Sequence, residues 1–250
     1  MALNRPFKRT CRQFTDGSYS NSGKYQYLYH ANFAKSPGQY IRAFLLIQKD
    51  LQLLFDYIEP SDINSVCYSY RIHELLLRTC VEVEANCKAI LLENGYKKNS
   101  ALNMEDYRKI NKSHHLSSYQ IGLPLWHGEK SLRTPFLSWS TGSSLNWYKA
   151  YNSTKHDRHD KFELASFDNL IEAVCGLVSI LSAQFWEEDF IPSDSYLALE
   201  GSIDGMETAI GKYFRVKFPN DWANDEQYDF SHEEIKQSTF EIQCYDYNKP

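Results

Sequence analysis

The chain has 250 residues, of which 42% are hydrophobic and 15% aromatic, and its formal net charge is −5 at pH 7. This composition excludes a largely disordered chain, which has few aromatic residues and a high net charge, and the length allows one large domain or one domain with an appendage. The apolar runs are too short or too interrupted to cross a bilayer, and the first residues lack the apolar stretch of a signal peptide, so we expect a cytoplasmic protein without a membrane partner.

Charge is unevenly distributed along the chain. Residues 187–250 contain 15 acidic and 5 basic residues, a net charge of −10, so the residues before them carry +5. The charge separates a basic, Tyr-rich N-terminal arm over 1–37 and an acidic C-terminal extension over 187–250 from the middle of the chain. The middle, over 38–186, is predicted to be one helical domain from the helix patterns and the resemblance described below. The six cysteines include no Cys-x-x-Cys pair, and we expect reduced, buried thiols.

The first 60 residues predict an extended segment followed by a helix. Alternation of aromatic and polar residues at 24–29 predicts one short strand or an extended arm. Ser36 and Pro37 are typical of an N-cap and a first helical residue. The apolar spacing that follows predicts a helix that stops before Pro60.

The next predicted helix is unusually long. It begins at a cap provided by Ser61 or Asp62 and ends at Asn94, with Gly95 as its C-terminal glycine. It is apolar almost all round, which predicts a buried helix. Because an isolated buried charge is very costly, its charged residues must face a groove or be paired. These residues, which we call the charged stripe, are Arg71, Glu74, Arg78 and Glu82.

The segment from 97 to 142 is less regular, and a connection of this length inside a compact domain is usually a functional or binding element. It predicts a short helix near 104–110 and a β-hairpin formed by 119–126 and 131–139. After it, Ser143 or Ser144 is expected to cap a helix that runs to about His156. A third amphipathic helix is predicted over 165–186.

Beyond Pro192 the pattern weakens. Residues 198–213 predict one more helix, and alternation at 213–218 and 239–244 predicts two strands. The predicted fold class is therefore mainly α: a helical bundle with a long central helix, a β-hairpin insertion and a small acidic α/β C-terminal extension.

The most distinctive local sequence is the predicted helix end Tyr-Asn-x-x-Lys-His-x-Arg. Tyr148, Asn152 and His156 follow one another at intervals of one turn on the same helix face. Lys155 and Arg158 lie at the C-terminus of this helix, where the macrodipole favours cations even without a function. Packed against the charged stripe, these residues are predicted to form a compact acid/base centre. The structural alternative is a polar cluster that only ties the two helices together.

This helix end, together with the pattern Arg-x-x-Glu-Leu-Leu-Leu-Arg-x-x-x-Glu-x-Glu-x-Asn in the central helix, resembles the HEPN-like superfamily over about residues 38–186. The resemblance implies a helical bundle that is usually dimeric. Active members are metal-independent ribonucleases of toxin–antitoxin, abortive-infection and CRISPR systems. Their motif is an arginine, then a polar residue, then a histidine four to six positions after the arginine.

Mapped onto this chain, Asn152 matches the polar position of the motif and His156 matches its histidine. Tyr151 stands where the motif has arginine, which is a departure from the family. If the chain is catalytic, Arg158 or Arg78 has to supply the cation in space. The reaction implied by the resemblance is attack of a ribose 2′-hydroxyl on the neighbouring phosphorus. A histidine acts near neutral pH and an arginine stabilises the phosphoryl oxygens.

The resemblance therefore implies a metal-independent endoribonuclease, an effector of a bacterial antiphage or stress-response system that needs no cofactor. RNA, a second copy of the chain and an operon-encoded protein are the expected partners. The alternative is a catalytically inactive HEPN-like module that binds nucleic acid, a nucleotide or a partner protein. Glu82 or Glu74 is expected to orient Arg78 or tune the histidine. The candidates for substrate binding are Tyr148, Tyr151 and Lys155.

Overall fold

The computed structural model describes residues 2–190 and 206–249. The described part is mainly α-helical, with a small antiparallel sheet, as the composition and periodicity predict. Its helices are α1 (Pro37–Phe55), α2 (Tyr70–Glu93), α3 (Met104–Arg108), α4 (Asn111–His114), α5 (Asn146–His156), α6 (Arg158–Lys161), α7 (Phe167–Phe185) and α8 (His232–Ile235), and its strands are β1 (Gln120–Gly122), β2 (Leu132–Arg133), β3 (Glu207–Thr208) and β4 (Arg215–Lys217).

The core of the bundle lies between α2 and α7, and α1 and α5 pack against α2. Helix α7 is buried along almost its whole length. It is also the one helix among residues 2–190 and 206–249 that is long and apolar enough to cross a membrane, and 83% of that window is buried inside the protein. An apolar helix enclosed in this way is typical of a domain core.

The first predicted helix is confirmed as α1, with corrections at both ends. Pro37 is its first residue, but Ser36 has a left-handed backbone (φ 51°) and its side chain caps nothing. The helix ends at Phe55, before the predicted stop at Pro60.

The long central helix is confirmed as α2, but its predicted start is wrong. Ser69 is the N-cap, and its hydroxyl accepts a hydrogen bond from the Ile72 N–H at 3.2 Å. The preceding segment is held by backbone bonds to distant residues: the Asp62 N–H donates to the His127 carbonyl, and the Phe167 N–H donates to the Cys67 carbonyl. The predicted end is confirmed, since Gly95 has a φ of 80° and follows the last turn.

The predicted hairpin is confirmed in a shorter form, because β1 pairs antiparallel with β2. The sheet order is β2-β1-β4-β3, so the predicted strand at 213–218 is present as β4 and joins the hairpin. Of the helix predicted over 198–213, residues 198–205 lie outside the described residues. Residues 206–213 contain β3 and a turn, so this part of the prediction is wrong.

Two predicted strands are absent from the described structure. Residues 24–29 belong to a 3₁₀-helix over Asn21–Tyr29, in which the adjacent residues Tyr27 and Leu28 are both buried. A strand with one solvent face places neighbouring side chains on opposite faces, so this burial is incompatible with the predicted alternation. In the segment 239–244, Gln243 makes only an isolated bridge to Phe7.

The division of the chain into arm, domain and extension stays a prediction. In the structure, residues from all three parts contribute to the same hydrophobic core. Phe14 packs its ring against Tyr27, Tyr228 and Phe230, with ring centres 5.1–6.1 Å apart. The six cysteines are free thiols; four of them are buried as predicted, whereas Cys67 is half-buried and Cys244 is exposed.

The buried His114 gives the fold a predicted pH dependence. Its Nε2–H donates to the Arg9 carbonyl at 2.8 Å, and its Nδ1 lies 2.7 Å from the Ser113 hydroxyl. Burial lowers the pKa of His114 from 6.5 to about 3. The unfolded chain therefore binds a proton that the folded chain does not, and stability should fall as the pH drops from about 6.5 towards 3.

We expect the free energy of unfolding, measured in urea at several pH values, to fall more steeply with acid for the wild type than for His114→Gln. The variant itself should be less stable at neutral pH, because its side chain cannot reproduce both hydrogen bonds. If the free energy of unfolding fell equally steeply with acid in the two proteins, His114 would not be the group responsible for the pH dependence.

Candidate functional site

The structure separates the charged stripe from the end of α5. Arg78 forms an ion pair with Asp50 of α1, and Arg71 pairs with Glu74 at 3.2 Å on the exposed part of α2. Glu82, half-buried, lies on the same side of the helix, and burial raises its pKa. The three paired residues of the stripe therefore use α1 and α2 as partners, and within the described residues no hydrogen bond or ion pair joins the stripe to the end of α5, contrary to the expected packing.

The side of α2 that faces α5 carries a different glutamate, Glu84. Glu84 accepts a hydrogen bond from the Tyr148 hydroxyl at 2.8 Å. Glu84 follows Arg78 by six residues, which turns its side chain about 120° around the helix axis. The structure therefore does not bring Arg78 and His156 together, and a catalytic role for Arg78, Glu74 or Glu82 stays a prediction without geometric support.

His156 and Arg158 lie at the exposed end of α5. His156 is the last residue of that helix, Asp157 breaks it with φ −139° and ψ 62°, and Arg158 begins α6. Both side chains are exposed, and within the described part of the chain neither forms an ion pair. The Arg158 guanidinium carbon lies 5.6 Å from the centre of the Tyr70 ring, a cation–π contact.

An aromatic platform, which we define as Tyr68, Tyr70 and Phe162, lies beside Arg158. The ring of Phe162 contacts Tyr68 at 5.4 Å and Tyr70 at 4.8 Å, and the two tyrosines are 53% and 67% exposed. His73 is buried beneath Phe162, and its pKa is lowered by burial and by the charge of Arg158. None of these four residues was identified from the sequence; the only local signal was the pair of tyrosines flanking Ser69.

A second feature, which we call the α5 cleft, opens between α2, α3 and α5 with a volume of about 460 Å³. Three predicted site residues, Tyr148, Asn152 and Lys155, line it from one side of α5. His156, expected on the same face, does not line the cleft. The other lining residues are Glu84, Leu102, Asn103, Met104, Glu105 and Tyr107.

Hydrogen bonds fix the polar groups of the α5 cleft. Burial and the neighbouring Glu84 raise the pKa of Tyr148, so its hydroxyl stays a donor at neutral pH. The Lys155 ammonium donates to the hydroxyl of the buried Tyr151 at 3.1 Å, and this bond raises the pKa of Lys155. Tyr151, which replaces the arginine of the HEPN motif, therefore positions Lys155 and does not itself line the cleft.

Within residues 2–190 and 206–249, no three His, Cys, Asp or Glu side chains are grouped so that they could hold a metal ion. No protein-family model, no curated protein and no solved structure matches the chain. The resemblance to HEPN-like proteins is therefore carried by the sequence motif, and the site has to be interpreted from its own chemistry.

Proposed function

We propose that the chain is a HEPN-like protein that binds single-stranded RNA at the exposed end of α5. The observation that carries this proposal is the cation–π contact of Arg158 with Tyr70, at the edge of the aromatic platform. Within residues 2–190 and 206–249 the Arg158 guanidinium forms no ion pair. An exposed aromatic ring next to a free cation is suited to a polymer that combines flat bases with phosphates.

Each part of this surface has a role in the proposed binding. The tyrosine rings of the platform stack on bases, and stacking of one base on an aromatic side chain is worth about 1–3 kcal/mol. Arg158 and Lys161 are exposed and bind phosphates. Asp157 and Asp160 in the same segment limit the local positive charge, so we expect a modest salt dependence and a preference for flexible single strands over duplexes.

The second candidate function is cleavage of the bound RNA, as a bacterial antiphage or stress-response effector. It is favoured by the position of His156 one turn after Asn152 on α5, two residues before the exposed Arg158. In the proposed reaction His156 takes the proton of the ribose 2′-hydroxyl, and the oxygen attacks the adjacent phosphorus. The bond from phosphorus to the 5′-oxygen breaks, and that oxygen receives a proton from water or from the imidazole of a second copy.

Both candidates can be tested with one set of proteins and a fluorescently labelled, unstructured 12-nucleotide RNA. We expect Arg158→Ala and Tyr70→Ala each to weaken binding about tenfold, as measured by anisotropy. The matched controls are Arg78→Ala and Tyr57→Ala, because Arg78 is paired with Asp50 and Tyr57 is 86% exposed without being part of the platform. The controls should change the Kd less than twofold.

The same samples, kept in EDTA and analysed on denaturing gels, test cleavage. If the wild type cuts the RNA and His156→Ala does not, while the two proteins have the same circular dichroism spectrum, the result supports the ribonuclease. RNA that is bound but stays intact rules out cleavage and leaves the binding module. If Arg158→Ala and Tyr70→Ala bind the RNA as tightly as the two control variants do, the proposed binding surface is rejected.

A further inference from the structure

We propose that the α5 cleft is a guanine-binding pocket that selects one base of the bound strand. This inference deepens the proposed RNA binding and rests on it for the polymer, but the pocket can be tested alone with free nucleotides. Lys155 lines the cleft and is three residues before Arg158, so one nucleotide of a strand bound at Arg158 can reach the cleft.

The size and walls of the cleft suit a nucleoside. About 460 Å³ lies in the usual range of small-molecule sites. Leu102, Met104 and the ring of Tyr107 give the cleft apolar surface. The half-buried ring of Tyr148 adds to this surface from α5. Flat apolar walls with a few fixed polar groups are the usual construction of a site for a planar ligand.

The mixed charges of the cleft disfavour a phosphate or a polyamine as its ligand. Glu84 and Glu105 oppose an isolated phosphate, and Lys155 opposes a polyamine. A neutral ligand that presents hydrogen-bond donors on one part of its edge and an acceptor on another satisfies both signs. Nucleobases have such edges, and they differ in the order of their donors and acceptors.

Glu84 identifies which base fits best. One of its carboxylate oxygens accepts from Tyr148, and the other forms an ion pair with the Lys88 ammonium at 3.7 Å, a distance that leaves this oxygen open to a hydrogen-bond donor. An ionised carboxylate only accepts hydrogen bonds. Guanine presents two adjacent donors, N1–H and the 2-amino group, to such a carboxylate. Adenine and cytosine place a ring acceptor beside their amino group, and uracil flanks its single N–H with carbonyl oxygens, so each of these meets the carboxylate with repulsion.

Asn152 and Lys155 supply the matching donors for the guanine O6. Asn152 is half-buried in the cleft, and within the described residues its amide forms no hydrogen bond. The Lys155 ammonium uses one proton for Tyr151 and has two left. The Glu84 carboxylate accepts from the two donors of guanine, and the Asn152 amide and the Lys155 ammonium donate to its O6. Together they match the pattern donor–donor–acceptor along one edge of guanine.

The test is titration of the full chain with 5′-GMP, 5′-AMP, 5′-CMP and 5′-UMP, measured by calorimetry. We expect GMP to bind at least tenfold more tightly than the other three. Glu84→Gln should weaken GMP binding about tenfold or more, because the amide presents one N–H towards the donors of guanine. Its carbonyl can still accept from Tyr148, so the fold should be retained. Glu74→Gln on the exposed side of α2 is the matched control.

Similar affinities for the four nucleotides, no binding of GMP, or equal GMP binding by wild type and Glu84→Gln would each overturn the pocket. The outcomes also separate this inference from the proposed function. If RNA binding depends on Arg158 and Tyr70 but is unchanged when a single guanosine is placed in an oligouridine, only the pocket is rejected. If the protein binds GMP selectively but Arg158→Ala and Tyr70→Ala bind RNA as tightly as the wild type does, only the proposed RNA surface is rejected.

Discussion

Replacement of Arg9 by methionine is expected to lower the free energy of unfolding by about 3–5 kcal/mol, the usual effect of removing one partner of a buried ionic network. Arg9 is fully buried. Its guanidinium donates to Glu93 at 2.8 Å, to the Gln184 side chain at 2.9 Å and to the Lys35 carbonyl at 2.8 Å. Methionine fills a similar volume but leaves these acceptors without their donor.

Urea unfolding followed by circular dichroism measures this change. The control is Arg5→Met, which removes an exposed ion pair with Glu241 and should cost less than about 1 kcal/mol. Similar losses for Arg9→Met and Arg5→Met would show that the buried network contributes no more than a surface pair.

A chain that ends at residue 190 is expected to lose cooperative unfolding altogether. The removed part contains large side chains that are buried in the common core, and burying one such side chain contributes about 1.5–3 kcal/mol. Several of them together equal or exceed the 5–15 kcal/mol net stability of a typical domain. The buried residues concerned are Ile210, Phe214, Val216, Tyr228, Phe230 and Tyr247.

Thermal unfolding, followed by near-ultraviolet circular dichroism, tests this prediction, with a chain ending at residue 247 as the control. The control keeps Tyr247 and should melt in a single transition. If the shorter chain also melted in one sharp transition, the acidic segment would be a separate extension, as its composition suggests.

The parts of the fold that could be predicted from sequence are those whose signals are local. The apolar spacing of α7 and the positive φ required at Gly95 depend on the helix itself. The start of α2 was misplaced because distant backbone groups, His127 and Phe167, hold the residues before Ser69 out of the helix. Such tertiary contacts override local propensity, and no pattern in residues 61–69 reports them.

The candidate site shows the same limit. The spacing along α5 predicted a shared face for Tyr148, Asn152 and His156, and two of these residues, Tyr148 and Asn152, line one cleft. The third residue of α5 in the cleft is Lys155 and not His156. The residue of α2 that bonds Tyr148 is Glu84, which lies outside the charged stripe predicted to face α5, and this contact depends on how α2 is rotated relative to α5. This rotation is set by core packing. The aromatic platform joins residues 68–70 to Phe162, more than 90 positions later, and no local pattern connects them.

The pairing of Leu3 and Phe14 with Tyr228 has a consequence for synthesis of the protein. These early residues find their native partner only after more than 200 further residues have been translated. At about 5–20 residues per second this delay is roughly 10–40 s. Phe14 and Tyr27 remain uncovered on the nascent chain during that time, so the ribosome-bound intermediate should be a substrate for chaperones that recognise aromatic segments, and its folding should be completed after release.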